Sequence, residues 1–232
     1  MSMSEAPSRP DRVDWAAALV ALASLAVAAW VWRHGPPGLV PSHLDLHGRV
    51  NGWSSRETIA KLILLITTVS AAVYLVLGAV TLGPNNPDGS ARRRLRAARL
   101  LLVLVTGLIT ALMTAIAYGA ATAPRLGGGR LMPAFLALIF LVVGAFIGKS
   151  APNPFVGVRT YWTLRSRLAW DKSNRLAGRL FFWTGLLGLP LAFLTSPVVS
   201  TSILVIVVLA TAVASVVESW RVWRTDPDRQ AP

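Results

Sequence analysis

Apolar residues run along this chain in six blocks separated by short polar segments. The blocks are Trp15–Trp32, Ala60–Leu82, Leu100–Tyr118, Leu131–Gly148, Leu180–Leu194 and Thr201–Val217. A membrane-spanning helix needs about 20 mostly apolar residues, so each block predicts one span. Only the uncharged stretch Thr195-Ser-Pro-Val-Val-Ser200 parts the last two blocks. The 38 residues from Leu180 to Val217 are too many for one span and suit two, with the turn at Pro197. Pro190, beside Gly185 and Gly188, predicts a kink in the fifth helix. The first block, at 18 residues, exceeds the ~7–15-residue apolar core of a cleaved signal. Trp15, Trp30 and Trp32 bracket it like an aromatic belt, so a retained first helix is expected. The expected fold is all-α: a polytopic membrane protein of six transmembrane helices.

Charge supports that picture and orients it. The 232 residues are 54% hydrophobic and 14% charged, yet carry a net charge of +13. A soluble domain carries about 25% charged residues. A basic balance otherwise points to nucleic acid, but here the cations flank apolar blocks, so the expected partner is the lipid bilayer and not nucleic acid directly. With the N-terminus placed in the cytoplasm, the inside segments hold 17 of the 23 Lys and Arg residues, among them Arg92–Arg94, Arg96, Arg99, Lys149, Arg159 and Arg165. The outside segments hold Arg33, Arg49, Arg56, Lys61, Arg125 and Arg130. That bias predicts a multi-pass plasma-membrane protein with both termini cytoplasmic. The expected organisation is a tail (1–14), a helical hairpin with an outside loop (15–82), a third span with a basic lead-in (83–130), a helical region (131–217) holding an inside loop at 149–179, and a second tail (218–232).

Composition also closes some routes. Without Cys there is no disulfide, thiolate metal site or Cys nucleophile. The spans lack Asp, Glu, Lys, Arg and His away from their ends. Such residues are costly in a bilayer and mark proton relays and ion-coupled transport, so a pump is not expected. The cluster Arg92–Arg99 reads as a topogenic anchor, with anionic-lipid or repressor binding as the alternative. Gly144-Ala-Phe-Ile-Gly148 allows close helix approach, within the chain or between copies.

Two loops carry more than connection requires. The outside loop reads Pro41-Ser-His43-Leu-Asp45-Leu-His47-Gly48-Arg-Val-Asn51-Gly-Trp53. Its Pro and Gly predict a shaped, non-helical segment. In an extended strand His43, Asp45 and His47 share one face, a donor set that suits zinc. The other reading has them bonding the loop's own backbone. No His-Glu-x-x-His, Gly-x-Ser-x-Gly or paired acids at the membrane point to catalysis, so no catalytic residue, metal or cofactor is assigned.

The inside loop contains Asn153-Pro-Phe-Val-Gly-Val-Arg-Thr-Tyr-Trp-Thr-Leu164. Gly157 permits a tight turn, and Thr163 predicts a helix N-cap. Leu164 to Gly178 is basic, with Leu168, Trp170 and Leu176 interspersed, and predicts a short interfacial helix with Trp and Leu toward lipid. Arg159 is the cation within the turn, and its five donors suit backbone carbonyls or a helix C-terminus. The motif reads either as a structural clasp between spans four and five or as a partner-docking surface.

This run resembles the SdpI family, membrane proteins named for immunity to a secreted toxic peptide. Asn153, Pro154, Gly157, Arg159, Thr160, Trp162, Thr163, Leu164, Trp170, Arg175 and Gly178 match the family pattern. Tyr161 stands where the family usually has Pro, and Asn174 where it usually has His. Pro41, His43, Gly48, Asn51 and Trp53 resemble the domain of unknown function that commonly precedes SdpI-type segments, while His47 lies outside that pattern. The resemblance implies a non-enzymatic protein that protects against a secreted antimicrobial peptide and relays its presence to a cytoplasmic repressor. Its site residues would be the matched inside positions, with Pro41, His43, Asp45, Gly48, Asn51 and Trp53 outside. Two other classes remain: a transporter of an amphipathic peptide or lipid, and a metal-dependent membrane enzyme using His43 and Asp45.

Overall fold

The computed structural model describes residues 10–45, 49–82, 90–122, 128–153 and 155–229. Six long helices dominate: α1 (Arg12–His34), α2 (Arg56–Leu82), α3 (Ser90–Thr122), α4 (Gly128–Ile147), α6 (Arg167–Leu194) and α7 (Pro197–Thr225). Each is long and apolar enough to cross a membrane. A one-turn helix α5 (Tyr161–Arg165) precedes α6, and a two-stranded hairpin, β1 (Leu39–Leu44) and β2 (Val50–Ser55), joins α1 to α2. The helices form two groups of three. α1, α2 and α3 pack on one another, as do α4, α6 and α7, and α3 meets α4 between them. The helices run alternately up and down. The start of α1, the end of α7 and the 149–166 loop therefore lie at one end, and the hairpin lies at the other.

Local chemistry fixes the ends. Asp11 caps α1 in a capping box with Asp14, accepting from Val13 N at 2.7 Å and Asp14 N at 3.0 Å. At the other end Arg56 donates to the Gly35 carbonyl at 3.0 Å, satisfying an orphan acceptor of α1. A Cβ at Gly35 would sit 2.4 Å from the Val31 carbonyl, so the chain can leave α1 at this angle only without a side chain. α7 starts at Ser196 (N-cap) and Pro197 (N1), which makes the expected turn.

α3 begins at Ser90, so the basic cluster forms its first turns ahead of the apolar stretch Leu95–Ala115. One expectation needs correction. The separate interfacial helix from Leu164 to Gly178 does not exist. The chain breaks at Ser166 instead, which is extended and caps α6 through its Oγ, and α6 then runs unbroken through Gly178 and Pro190 to Leu194. Gly178 does not interrupt it because the bare backbone there is packed: an added Cβ would lie 3.1 Å from the Gly144 carbonyl. At 1.5 Å per residue α6 is about 42 Å long against a hydrocarbon core of about 30 Å, so about two turns project from the core.

The α4–α6 seam is the tightest in the molecule. A Cβ on Gly144 would fall 2.1 Å from Phe182 N, and one on Gly185 2.2 Å from Leu141 N. Backbone meets backbone, the device by which helices associate where lipid removes the hydrophobic drive. The Gly144–Gly148 pair thus serves packing within the chain.

Candidate functional site

The inside loop is built around two buried amides. Asn153 donates through Nδ2 to the Ala151 and Val156 carbonyls, both at 2.9 Å, and to Ser150 Oγ at 3.0 Å. Its Oδ1 accepts from Phe155 N at 2.9 Å and Val156 N at 2.7 Å. One side chain therefore replaces the backbone ladder that this irregular segment lacks. Asn174, on α6, reaches up to the same loop: its Oδ1 accepts from Val158 N at 2.7 Å, while Nδ2 donates to the Trp170 carbonyl at 2.9 Å. An amide suits this place because it donates and accepts at once.

Trp170 completes the frame. It is fully buried, and its Nε1 donates to the Ser150 carbonyl at 2.8 Å. The expectation that it faces lipid is therefore wrong: an indole with a buried acceptor in reach packs inward. Gly157 lies over it at φ +133°, where an added Cβ would come within 2.8 Å of both Trp170 Cη2 and Asn174 Oδ1. The conformation and the space each require glycine.

Thr160, not Thr163, is the N-cap of α5. Thr160 Oγ1 accepts from Thr163 N at 3.2 Å, and Thr163 Oγ1 accepts from Thr160 N at 2.9 Å, a reciprocal box with Thr163 at its third position. Thr160 also bonds Ser219 Oγ of α7 at 3.0 Å. Tyr161 stacks edge-on against Trp223, and Arg165 lies over the Tyr161 ring at 3.8 Å. Ser166 donates to Asp226, just past α7. Ala151 and Val156 rest on Leu77, Leu95 and Ala98 of the first helix group. The loop thus ties α4, α6 and α7 together and touches α2 and α3.

Arg159 takes no part in this frame. It is exposed and makes no hydrogen bond or ion pair with any described residue, so the expected bonds to carbonyls are absent. Phe155, Tyr161 and Leu164 are exposed beside it in sequence, and Arg175 is exposed on α6. Trp162 is half-buried. Pro154 lies outside the described residues.

The outside loop is the β1–β2 hairpin. Pro41 pairs with Trp53 and His43 with Gly52, with irregular register on both sides of His43. β1 ends at Leu44, so His43 and Asp45 do not share a strand face as expected: the bulged register breaks the alternation. His43 Nδ1 bonds Asn51 Oδ1 across the hairpin at 2.5 Å. Asp45 accepts from Arg49 N at 2.8 Å and closes the tip. His47 and Gly48 lie outside the described residues. Among the described residues no three His, Asp or Glu side chains gather as a metal site. Val40 anchors the hairpin on Ala28, Val31, Ile59 and Ile63, leaving Trp53 exposed.

One polar cluster was not anticipated. Asp14 of α1, Tyr74 of α2 and Arg99 of α3 converge. Tyr74 donates to Asp14 at 2.8 Å, Arg99 donates to Asp14 and to the Tyr74 hydroxyl, and its guanidinium lies 4.4 Å over the Tyr74 ring. Arg99 is 2% exposed. The cluster caps a cavity of about 350 Å³ lined by Ala17, Ala21, Ser70, Ala71, Leu102 and Thr106. Asp14 and Arg99 each looked like a span-end charge. Only the register of three helices brings them together.

Residues 149–219 of the chain match the SdpI/YfhL protein family. No curated protein and no solved structure matches the chain. The matched segment starts at Lys149 and covers the framed loop, α5, α6 and most of α7.

Proposed function

From an SdpI-family membrane protein, with the family match over residues 149–219, we propose a non-enzymatic immunity role: the chain protects a cell from a secreted antimicrobial peptide. The peptide is met at the hairpin end of the helices, and its presence is relayed from the 149–166 loop to a cytoplasmic repressor. One observation carries this reading. The loop's internal bonds are made by Asn153, Thr160, Thr163, Trp170 and Asn174, while Arg159, Phe155, Tyr161 and Leu164 stay exposed. A clasp alone has no use for an exposed Arg that pairs with no described residue, beside exposed aromatics in sequence, whereas Arg and aromatic residues are the side chains enriched at protein interfaces. The clasp and the docking surface are then two faces of one loop.

The orientation follows the Lys/Arg bias and places the plasma membrane's cytoplasmic face at the loop end. The chain lacks Cys, so single probes report cleanly. In intact cells an impermeant thiol reagent should label Arg49→Cys and not Leu164→Cys; the opposite pattern sinks the sidedness. The immunity reading is tested by expressing the chain in a strain that lacks it and challenging with the secreted peptide fraction of its source. Protected growth is expected. Unprotected growth at a verified membrane level contradicts the role. The transporter reading has one observation in its favour, the cavity among α1, α2 and α3, and it predicts flux of an amphipathic peptide or lipid in vesicles.

A further inference from the structure

A second hollow lies where α4 ends and α6 begins. It is a groove of about 850 Å³, open on one side. Lys149, Lys172, Arg175 and Arg179 line one part of it. None of the four forms an ion pair with a described residue; Lys149 lies over the Phe146 ring, 5.7 Å from its centroid. Glu218 also lines the groove, and Arg221 already faces it at 3.8 Å. The other wall is apolar: Ala145, Phe182 and Trp183. Gly144, Gly148 and Gly178, where the backbones of α4 and α6 meet, form its floor.

Depth orders these two parts. Lys172, Arg175 and Arg179 fall three to four residues apart on α6, so they stack along one helix face, with Phe182 and Trp183 next in line. The apolar block of α6 begins at Leu180, which sets Lys172, Arg175 and Arg179 ahead of it at headgroup level and Phe182 and Trp183 within it at acyl-chain level. A groove that is cationic at its rim and apolar below it has the polarity of one particular solute. We propose that this groove binds an anionic glycerophospholipid, its phosphate held by Lys149, Lys172, Arg175 and Arg179 and one acyl chain laid along Ala145, Phe182 and Trp183. Basic pockets between spans are suited to acidic headgroups, at about 1 kcal/mol for each cation near the surface. The site does not depend on the immunity reading. It would fix the height of the 149–166 loop relative to the membrane, because Lys149 leads directly into that loop.

The experiment uses the full chain purified in detergent and observed by native mass spectrometry with added phosphatidylglycerol. Phosphatidylcholine of the same chains is the uncharged comparison, and glycerol 3-phosphate tests the headgroup without chains. Retention of phosphatidylglycerol at least about tenfold stronger than of phosphatidylcholine is expected. The triple variant Lys172→Gln, Arg175→Gln, Arg179→Gln should lose at least about tenfold. A control of equal charge, Arg12→Gln, Arg167→Gln, Arg224→Gln, removes exposed cations at the same end and should change binding less than about twofold. Ala145→Trp, which fills the apolar wall and leaves every charge in place, should also weaken binding; it decides the matter if the triple variant does not fold. Equal loss in both triple variants would mean diffuse attraction and would overturn the site. So would equal retention of phosphatidylcholine, or displacement of the lipid by glycerol 3-phosphate, which would mark a phosphate site with no place for a chain.

Discussion

The two helix groups are held by opposite means. Between α4 and α6, bare backbone packs on bare backbone, and the polar contacts among α4, α6 and α7 gather in the loop at one end, with Arg130 donating to the Phe193 carbonyl at 3.0 Å at the other. In α1, α2 and α3, side chains keep the helices apart and bond across the gap: Asp14–Tyr74–Arg99 at one level, Thr106 to Ser70 at 2.8 Å and Ser24 to Thr110 at 3.2 Å further along. The same contrast appears in the hollow spaces. The first group leaves a partly open, apolar cavity of about 350 Å³ beneath its polar cluster, while the hollow of the second is a groove along the edge of its seam. A seam of backbones tolerates no added atom, whereas a gap bridged by side chains does. The closely packed group carries the loop that lies within the family match.

The sharpest break of that comparison is a single methyl group. Gly185→Ala puts a Cβ 2.2 Å from Leu141 N and should cost about 3 kcal/mol or more, read as lost folded protein in detergent unfolding. Gly107→Ala on α3 meets only Val20 Cγ1 at an ordinary 3.5 Å and should be neutral or stabilising by up to about 1 kcal/mol. Equal effects would erase the distinction between the groups.

Next in size is the cluster of the first group. Asp14→Ala leaves Arg99 buried with its strongest partner gone, although Asp11 still approaches it at 3.9 Å. The expected loss is about 2–3 kcal/mol, under the full figure for a buried pair because Asp14 is itself partly exposed. Adding Arg99→Met should recover more than half of that loss, since an apolar replacement removes the stranded charge. A double variant no better than the single one would mean that the cluster is not the tie between α1 and α3.

Within the loop, Asn174→Ala strands the Val158 amide and should cost about 1–3 kcal/mol, with a change in Trp170 fluorescence. Thr160→Ala removes a cap and should cost about 1 kcal/mol, confined to α5 and its seat on α7. A Thr160 effect larger than that of Asn174 would move the centre of the frame from α6 to α7.

The six spans were legible because a bilayer demands long apolar runs, and composition records those directly. The frame of the loop was half legible. Gly157 announced a turn, and Asn153 stood in the family pattern, but Trp170 looked lipid-facing because amphipathic spacing cannot reveal a carbonyl 20 residues away as its partner. Thr163 was expected to cap the helix, and placing the cap three residues earlier at Thr160 required the backbone angles that make Thr160 extended. The outside loop was foreseen only as a shaped, non-helical segment, and its strands and bulges follow from pairing, which sequence alternation does not encode. Asp14 and Arg99 were the least legible. Each is an ordinary span-end charge until three helices set their register.

The account rests most on Arg159, the loop residue that the fold does not use. Protection against the secreted peptide, measured as growth alongside the membrane level of the protein, tests it directly for Arg159→Ala. The account predicts a normal level and lost protection, because an exposed guanidinium that pairs with no described residue gives the fold no bond to lose. Full protection at a normal level would contradict it and leave the loop a clasp alone.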